Sequence, residues 1–378
     1  MLSQARTREH RGASIQNAHE HPCVSVVVPA RNCAHTVDAS LASLAAQDFD
    51  SFEVLVVDDG STDATAQVVG EWCRRDARFR LLAQPSASAG AARNTGMAQA
   101  QGDYLLFLDA DDVFEPGLLS SLHEAACSSG AQVCMCAADC FTSSPAHPVR
   151  RWDAGPGELA PGTYRVRDIE DHLFQAATVN VWNKLFDARF VREHGLAFQD
   201  QPRYNDAYFT LMALSLATTV CKIDEVLVHY RVEAGSSLVD QAAAHPLCDV
   251  HAFDAVRAAL AQEGMLAGPL KRSLDTFCIS TVVWRLARFA RASEQATRQL
   301  FDAFYGTYRR TWGLEGARWP YIRSVRYALE YRLMAKAGPD SLMRAARADT
   351  RTRSSGRDVI AEARFALRLL REAWRRTT

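Results

Sequence analysis

Leu105-Leu106-Phe107-Leu108-Asp109-Ala110-Asp111-Asp112 runs four apolar residues straight into three carboxylates. The apolar run reads as a buried strand. The acids then fall at its C-terminal end, where ligands bind in open α/β sheets. Carboxylates this close repel one another, and ionising all of them is costly without a cation. A divalent metal shared with substrate phosphates relieves that cost. The other reading is a solvated acidic turn that opens the next helix, with Asp112 or a neighbour as its cap.

Working outward, strand and helix patterns alternate up to about residue 140. Val24–Pro29 is a β-branched strand stopped by proline, and Phe52–Val57 is a second buried strand that ends in Asp58-Asp59-Gly60. Arg80–Ala83 and Tyr104–Leu108 are the third and fourth. Helical spacing lies between them over Thr36–Ala46, after Asp63 as a cap, and over Ala89–Ala100, with Gly102 as the residue just past the end. Glu115-Pro116 opens another helix. The alternation predicts an α/β fold: a Rossmann-like, mostly parallel sheet with helices on both faces. Right-handed crossovers bring the strand C-termini to one edge. Pro29-Ala30-Arg31, Asp58-Asp59 and Asp109–Asp112 should therefore line one crevice.

Thr142–Gly162 reads as a loop, and Lys222–Tyr230 as a further strand followed by Arg231. From about residue 240 the chain is helix-like and rich in Ala, Arg and Leu. The expected division is a polar, loose tail over 1–22, a catalytic-type domain over 23–238 and a helical region over 239–378. Residues 341–378 hold ten Arg against four acids. The helix expected over Asp358–Trp374 is basic and amphipathic, so it can lie on an anionic membrane surface or dock on its own domain.

The chain has 378 residues, 43 basic against 44 acidic, a balance that argues against nucleic acid as a partner. No apolar run is long enough to span a bilayer, and residues 1–22 lack the apolar stretch of a signal peptide. The ten cysteines form no C-x-x-C pair. Cys134 and Cys136 share a parity on an expected strand, which reads as buried packing rather than a metal site. The compartment is read as reducing and cytoplasmic, with peripheral contact at the inner membrane face as an option.

Val26–Asn32, Val56–Asp63, Gly90–Gly96 and Phe107–Asp112 together resemble the family 2 glycosyltransferases, inverting enzymes of the GT-A fold. Val181–Phe186 and Asn205-Asp206 extend the resemblance to about residue 238. The resemblance implies roles residue by residue. Pro29 and Arg31 lie beside the base or ribose, although the family more often has another residue at position 31. Asp58 or Asp59 accepts from uracil or ribose. Arg93 reaches toward the nucleotide and the acids. Asp109-Ala110-Asp111 is the D-x-D element, with Asp111 as metal ligand and Asp109 on the ribose or a metal-bound water; Asp112 can share the load. Mn²⁺ or Mg²⁺ is the implied cofactor. Asp206 is the implied base, at a position where the family has Glu-Asp and this chain has Asn205-Asp206. Lys184 compensates negative charge near the diphosphate or acceptor, or else is a surface lysine.

The implied reaction moves one sugar from a UDP-sugar to a hydroxyl of a glycan or lipid-linked glycan precursor. Glu315–Trp319 only loosely resembles the Gln-x-x-Arg-Trp motif of processive members, so polymerisation is not expected. A non-catalytic nucleotide-sugar binding module is the alternative, and Asn205 is the feature that favours it. A nucleotidyltransferase would need a glycine-rich phosphate loop after the first strand, and Pro29–Cys33 has no glycine.

Overall fold

The structure is a computed structural model that describes residues 21–152, 159–232, 242–314 and 325–347. The strands are β1 (Val24–Ala30), β2 (Phe52–Asp58), β3 (Phe79–Ala83), β4 (Tyr104–Phe107), β5 (Val113–Phe114), β6 (Val133–Phe141), β7 (Arg150–Trp152), β8 (Gly162–Arg165), β9 (Lys184–Asp187) and β10 (Thr219–Arg231). The first helices are α1 (Val37–Ala45), α2 (Thr65–Arg75), α3 (Ala89–Gln99), α4 (Leu118–Ser129), α5 (Val166–Ile169), α6 (Leu173–Ala176), α7 (Ala188–Glu193) and α8 (Asn205–Leu216). After β10 come α9 (Cys248–Gln262), α10 (Gly268–Ala292), α11 (Glu294–Ala303), a π-helical turn (Phe304–Tyr308), α12 (Arg309–Thr311) and α13 (Val325–Arg347).

One sheet runs β3-β2-β1-β4-β9-β6-β10-β5, with β7 on β6 and β8 on β10. The β3-β2-β1-β4 half is parallel, as expected. The other half is mixed, because β9 enters antiparallel to both β4 and β6. Its short apolar run fits a buried strand of either direction, so the pattern alone could not reveal the reversal.

Strand parity divides the core into two layers. Val27, Leu55, Val57 and Phe107 face α3, α8 and the C-terminal helices, while Val26, Val28, Leu106 and Leu108 face α1 and α4. Cys134 and Cys136 lie in the second layer as buried hydrophobes, which matches their shared parity. The first layer is continuous from Val27 and Phe107 through Phe209 and Phe253 to Ala346. Described residues from Ala242 onward therefore belong to the same buried layer as this face of the sheet. Burying an aromatic such as Phe209 stabilises by roughly 2–3 kcal/mol. Phe209 stacks on Phe198 with centroids 4.2 Å apart, and Phe107 meets both edge-on. This cluster lies directly behind the strand that delivers the acidic turn.

Three local expectations change. Gly102 does not cap α3, whose C-cap is Ala100. A Cβ at Gly102 would lie 2.5 Å from the Ser25 nitrogen, so glycine is required by backbone approach to β1. Asp63 is not the N-cap of α2; it folds the turn ahead of it by accepting from the Thr65 amide at 2.9 Å. The 142–162 loop contains β7, a short edge strand on β6. The tail (1–20), the Glu315–Trp319 segment and the basic C-terminal helix lie outside the described residues. Among the described residues no helix is long and apolar enough to cross a membrane.

Candidate active site

The C-terminal ends of β1, β2 and β4 meet at one edge, as the crossover rule requires. Pro29, Ala30, Arg31, Asp59, Ala87, Ser88, Ala89, Asp200, Gln201 and Pro202 line a cleft of ≈ 460 Å³ there. Asp59 is 2% exposed and accepts from Gln84 Nε2 at 2.7 Å and the Ala87 amide at 2.9 Å. The Arg31 guanidinium stands 3.9 Å from its other oxygen. Asp58 is outside the cleft lining, and its carboxylate accepts from the Ser61 amide at 3.3 Å. The paired acids thus separate: Asp59 faces the cleft and Asp58 braces the Asp-Gly-Ser turn.

Arg93 projects from α3 into the centre of the site and is buried. It donates to Asp109 Oδ1 at 2.6 Å and to Asn205 Oδ1 at 2.9 Å. Its fork therefore joins the acidic turn to the head of α8. Gly90 permits this junction: a Cβ there would lie 2.1 Å from the Gln199 carbonyl oxygen and 3.0 Å from Asn205 Cβ. Asn94 closes the same contact by exchanging two hydrogen bonds with the Phe198 backbone, at 2.9 and 2.8 Å. Asn205 has a definite task, since a neutral carbonyl accepts from Arg93 without competing for its charge. That removes the feature that favoured a non-catalytic module.

Asp206 follows on the first turn of α8 and is half-buried. Burial raises its pKa, Arg93 opposes this, and Asp109 adds to it. A carboxylate whose proton affinity is raised is better suited to accept a proton. Lys184, expected near substrate or on the surface, is neither exposed nor free. It is fully buried, and its ammonium donates to Thr178 Oγ1, the Asn180 carbonyl and Asn183 Oδ1 at 3.0, 2.7 and 2.7 Å. Burial pulls its pKa down to about 7. Lys184 pins the 178–183 loop and reaches Asp206 only through its field.

Asp109, Asp111 and Asp112 each place a carboxylate oxygen within 4.8 Å of the others. Asp112 is completely buried; one oxygen accepts from the Arg231 amide at 2.9 Å and the other has no partner. Burial, then Asp111 and Asp109, push its pKa well up. An orphaned buried carboxylate oxygen beside two more carboxylates is the hard, oxygen-only donor set that Mn²⁺ or Mg²⁺ takes. The chemistry of Asp109, Asp111 and Asp112 fits the implied ion.

Arg231 was noted in the sequence only as the residue after a strand. Its guanidinium Nε donates to the Asp111 carbonyl at 2.7 Å while its amide holds Asp112. His229 completes the support. It donates from Nδ1 to Asp139 and from Nε2 to Glu115, both at 2.7 Å, which ties β10 to β6 and to the segment after β5. Burial lowers its pKa, but the two carboxylates outweigh that and the net shift is upward. The signal for both residues was their place at the end of a strand, and only the β10–β5 pairing shows what they hold.

Residues 25–188 match the family model described as Glycosyl transferase family 2. The chain carries a family 2 glycosyltransferase domain. Several relatives are named as glycosyltransferases. The putative glycosyltransferase EpsH of Bacillus subtilis is 28% identical over 268 residues, 69% of this chain and 75% of that protein. The succinoglycan biosynthesis protein ExoO of Rhizobium meliloti is 29% identical over 57% of this chain and 62% of its own. The S. aureus TarS structure shares the fold at TM-score 0.53 and 17% identity, covering 88% of this chain and 56% of that one. TarS 1-349 in complex with UDP-GlcNAc aligns at TM-score 0.50 and 17% identity over 94% and 92% of the two chains. The expected GT-A architecture and helical C-terminal region are both borne out. Asp109, Arg93 and Asn205, with Asp206 beside it, lie within one connected site.

Proposed function

We propose that this glycosyltransferase moves one sugar from a UDP-sugar to a hydroxyl of a glycan or lipid-linked glycan precursor, with inversion, using Mn²⁺ or Mg²⁺. The observation that carries the reading is the Arg93 bridge, which joins Asp109 to the head of α8 and so sets Asp206 across from the acidic turn. Asp59, Arg31 and the cleft they border hold the nucleoside. Asp111 and Asp112, with Asp109, would hold the ion, which when bound neutralises charge on the departing diphosphate. Arg93 keeps Asp109 oriented, and Arg231 keeps the turn folded. Asp206 takes the proton of the acceptor hydroxyl as its oxygen attacks the anomeric carbon from the face opposite the diphosphate. A single displacement of this geometry inverts the anomeric centre. The fold shared with a UDP-GlcNAc-bound protein supports a uridine nucleotide as the first donor to try. The name of ExoO, a succinoglycan biosynthesis protein, supports a polysaccharide as product class.

A thermal-shift panel of nucleotide sugars with and without Mn²⁺ tests the donor half, since stabilisation follows affinity. UDP-sugars should raise Tm with Mn²⁺ more than without it. Equal shifts for all nucleotides, or no effect of Mn²⁺, would refute the donor assignment.

A further inference from the structure

One strained residue links the helical region to the head of α8. Tyr204, where the chain enters that helix, has φ 57° and ψ 26°. This is the left-handed region, which a bulky side chain occupies only where its surroundings enforce it. Among the described residues Asn32 is the only other non-glycine with positive φ, and asparagine tolerates that region. Helix entry positions ordinarily combine extended backbone with a short capping side chain. Tyr204 has neither, and its side chain makes no capping hydrogen bond.

Contacts on two sides hold this conformation. The half-buried Tyr204 ring packs on the apolar layer of the helical region and meets Phe253 of α9 edge-on, with centroids 5.7 Å apart at 89°. Phe253 is fully buried and is itself met edge-on by Phe277 of α10 at 5.6 Å. On the backbone side, Gln201 Nε2 donates to the Tyr204 carbonyl at 2.9 Å, and Asn205 Nδ2 donates to the Gln201 carbonyl at 3.2 Å. Asn205 turns to α3 instead and accepts from Arg93 at 2.9 Å. Successive residues thus send their side chains to different units: Tyr204 to the helical region, Asn205 to the acidic half of the site. Asp206 comes next in the chain.

We infer that Tyr204 is a positioning residue for the base: its ring, seated on Phe253, enforces the left-handed turn that presents Asp206 at the head of α8. The inference rests on the reading of Asp206 as the base. Glycine at 204 would permit the same turn at no steric cost, but it would leave other conformations open. A packed aromatic ring removes that freedom, so the first turn of α8 starts from one geometry. A misplacement of about 1 Å in a reacting group costs on the order of 10²-fold in rate, so this restriction matters to catalysis. The helical region thereby takes part in the reaction through packing.

The test is Mn²⁺-dependent UDP-sugar hydrolysis by the full chain, read as kcat and KM. Tyr204→Phe, Tyr204→Gly and Phe253→Leu are each made in the wild-type and the Asp206→Asn backgrounds. Tyr204→Phe keeps the ring and should retain kcat within about twofold, while Tyr204→Gly should lower it roughly tenfold or more, with a smaller change in donor KM. In the Asp206→Asn background Tyr204→Gly should cost less than about twofold, because a residue that acts through the base has nothing left to position. Equal losses in the two backgrounds, an unchanged kcat in Tyr204→Gly, or a loss in Tyr204→Phe as large as that in Tyr204→Gly overturns the inference. If Tyr204→Gly does not fold, Phe253→Leu decides by the same comparison, with a loss expected only where Asp206 is present. Failure of the glycosyl-transfer reading shows separately, as absent hydrolysis by wild type. Crystal structures of wild type and Tyr204→Gly then decide the inference: the Arg93–Asn205 hydrogen bond should be broken in the variant, and its retention overturns the positioning role.

Discussion

The donor half of the site leaves the ends of parallel strands β1, β2 and β4, whereas the base-bearing half comes from α8 and β10, and the loop over 199–204 borders both. In the donor half the chemistry sits where an apolar run ends, so local pattern and the crossover rule suffice to place it. In the other half each side chain depends on a contact between distant segments: Gly90 against Gln199, Arg93 with Asn205, and Arg231 with Asp112. The difference teaches that the donor half can be placed from strand ends, while the base half depends on its tertiary junction.

The hardest blow to that comparison is Asp206→Asn, which removes the base and leaves the donor half intact. Turnover should fall by about 10³-fold, near the middle of the range for general acid–base catalysis, with UDP affinity unchanged. The pH profile sharpens the same point. Burial raises the Asp206 pKa and the base works ionised, so activity should fall as pH drops through a midpoint above the ordinary carboxylate value. A limb at or below that ordinary value would place the base elsewhere.

Gly90→Ala attacks the junction without touching a charge. The Gln199 carbonyl must move, which separates Asn205 and Asp206 from Arg93. Activity should fall roughly tenfold or more, as displacements near 1 Å do, while Mn²⁺-dependent UDP binding falls less, since only the 200–202 side of the nucleoside cleft is disturbed. If binding falls in step with activity, the two halves are not separable.

Asp112→Asn tests the acidic turn. Burial and two neighbouring acids raise the Asp112 pKa, so an ionised Asp112 costs stability at neutral pH when no cation is present. The variant should melt a few degrees above wild type without metal, about 2–4 °C per kcal/mol relieved, and lose most of the stabilisation by Mn²⁺. Equal Mn²⁺ shifts in both proteins would remove Asp112 from the metal set.

The smallest effect concerns His229. Its folded pKa is raised, so its stabilising contribution is complete below the ordinary histidine value and is lost as pH rises through the folded one. Between those limits wild type should lose stability relative to His229→Gln, as read from urea midpoints. A pH-independent difference would mean that the Asp139–His229–Glu115 link does not titrate.

How much was legible in the sequence follows the same division. The parallel half-sheet and the Asp109–Asp112 turn are carried by apolar runs that end in charge, whereas Arg93 and Asp206 were legible only through the family resemblance of Gly90–Gly96 and Asn205-Asp206. The direction of β9 was not legible, because a short buried strand has no directional pattern. Neither were the burial of Lys184, the separation of Asp58 from Asp59 or the hold of Arg231 on Asp111 and Asp112. Each depends on which neighbour supplies a partner atom, and that is a property of packing rather than spacing. Asn205 looked like a missing carboxylate and proves to be the acceptor that anchors Arg93.

The most direct test of the central claim is the rate of Mn²⁺-dependent UDP-sugar hydrolysis by Asp206→Asn relative to wild type, with no acceptor added and both proteins saturated with donor. Water then takes the acceptor's place and needs the same base. Asp206→Asn should hydrolyse the donor at least 10²-fold more slowly. Equal hydrolysis by the two proteins would contradict the assignment of Asp206 as the group that takes the proton.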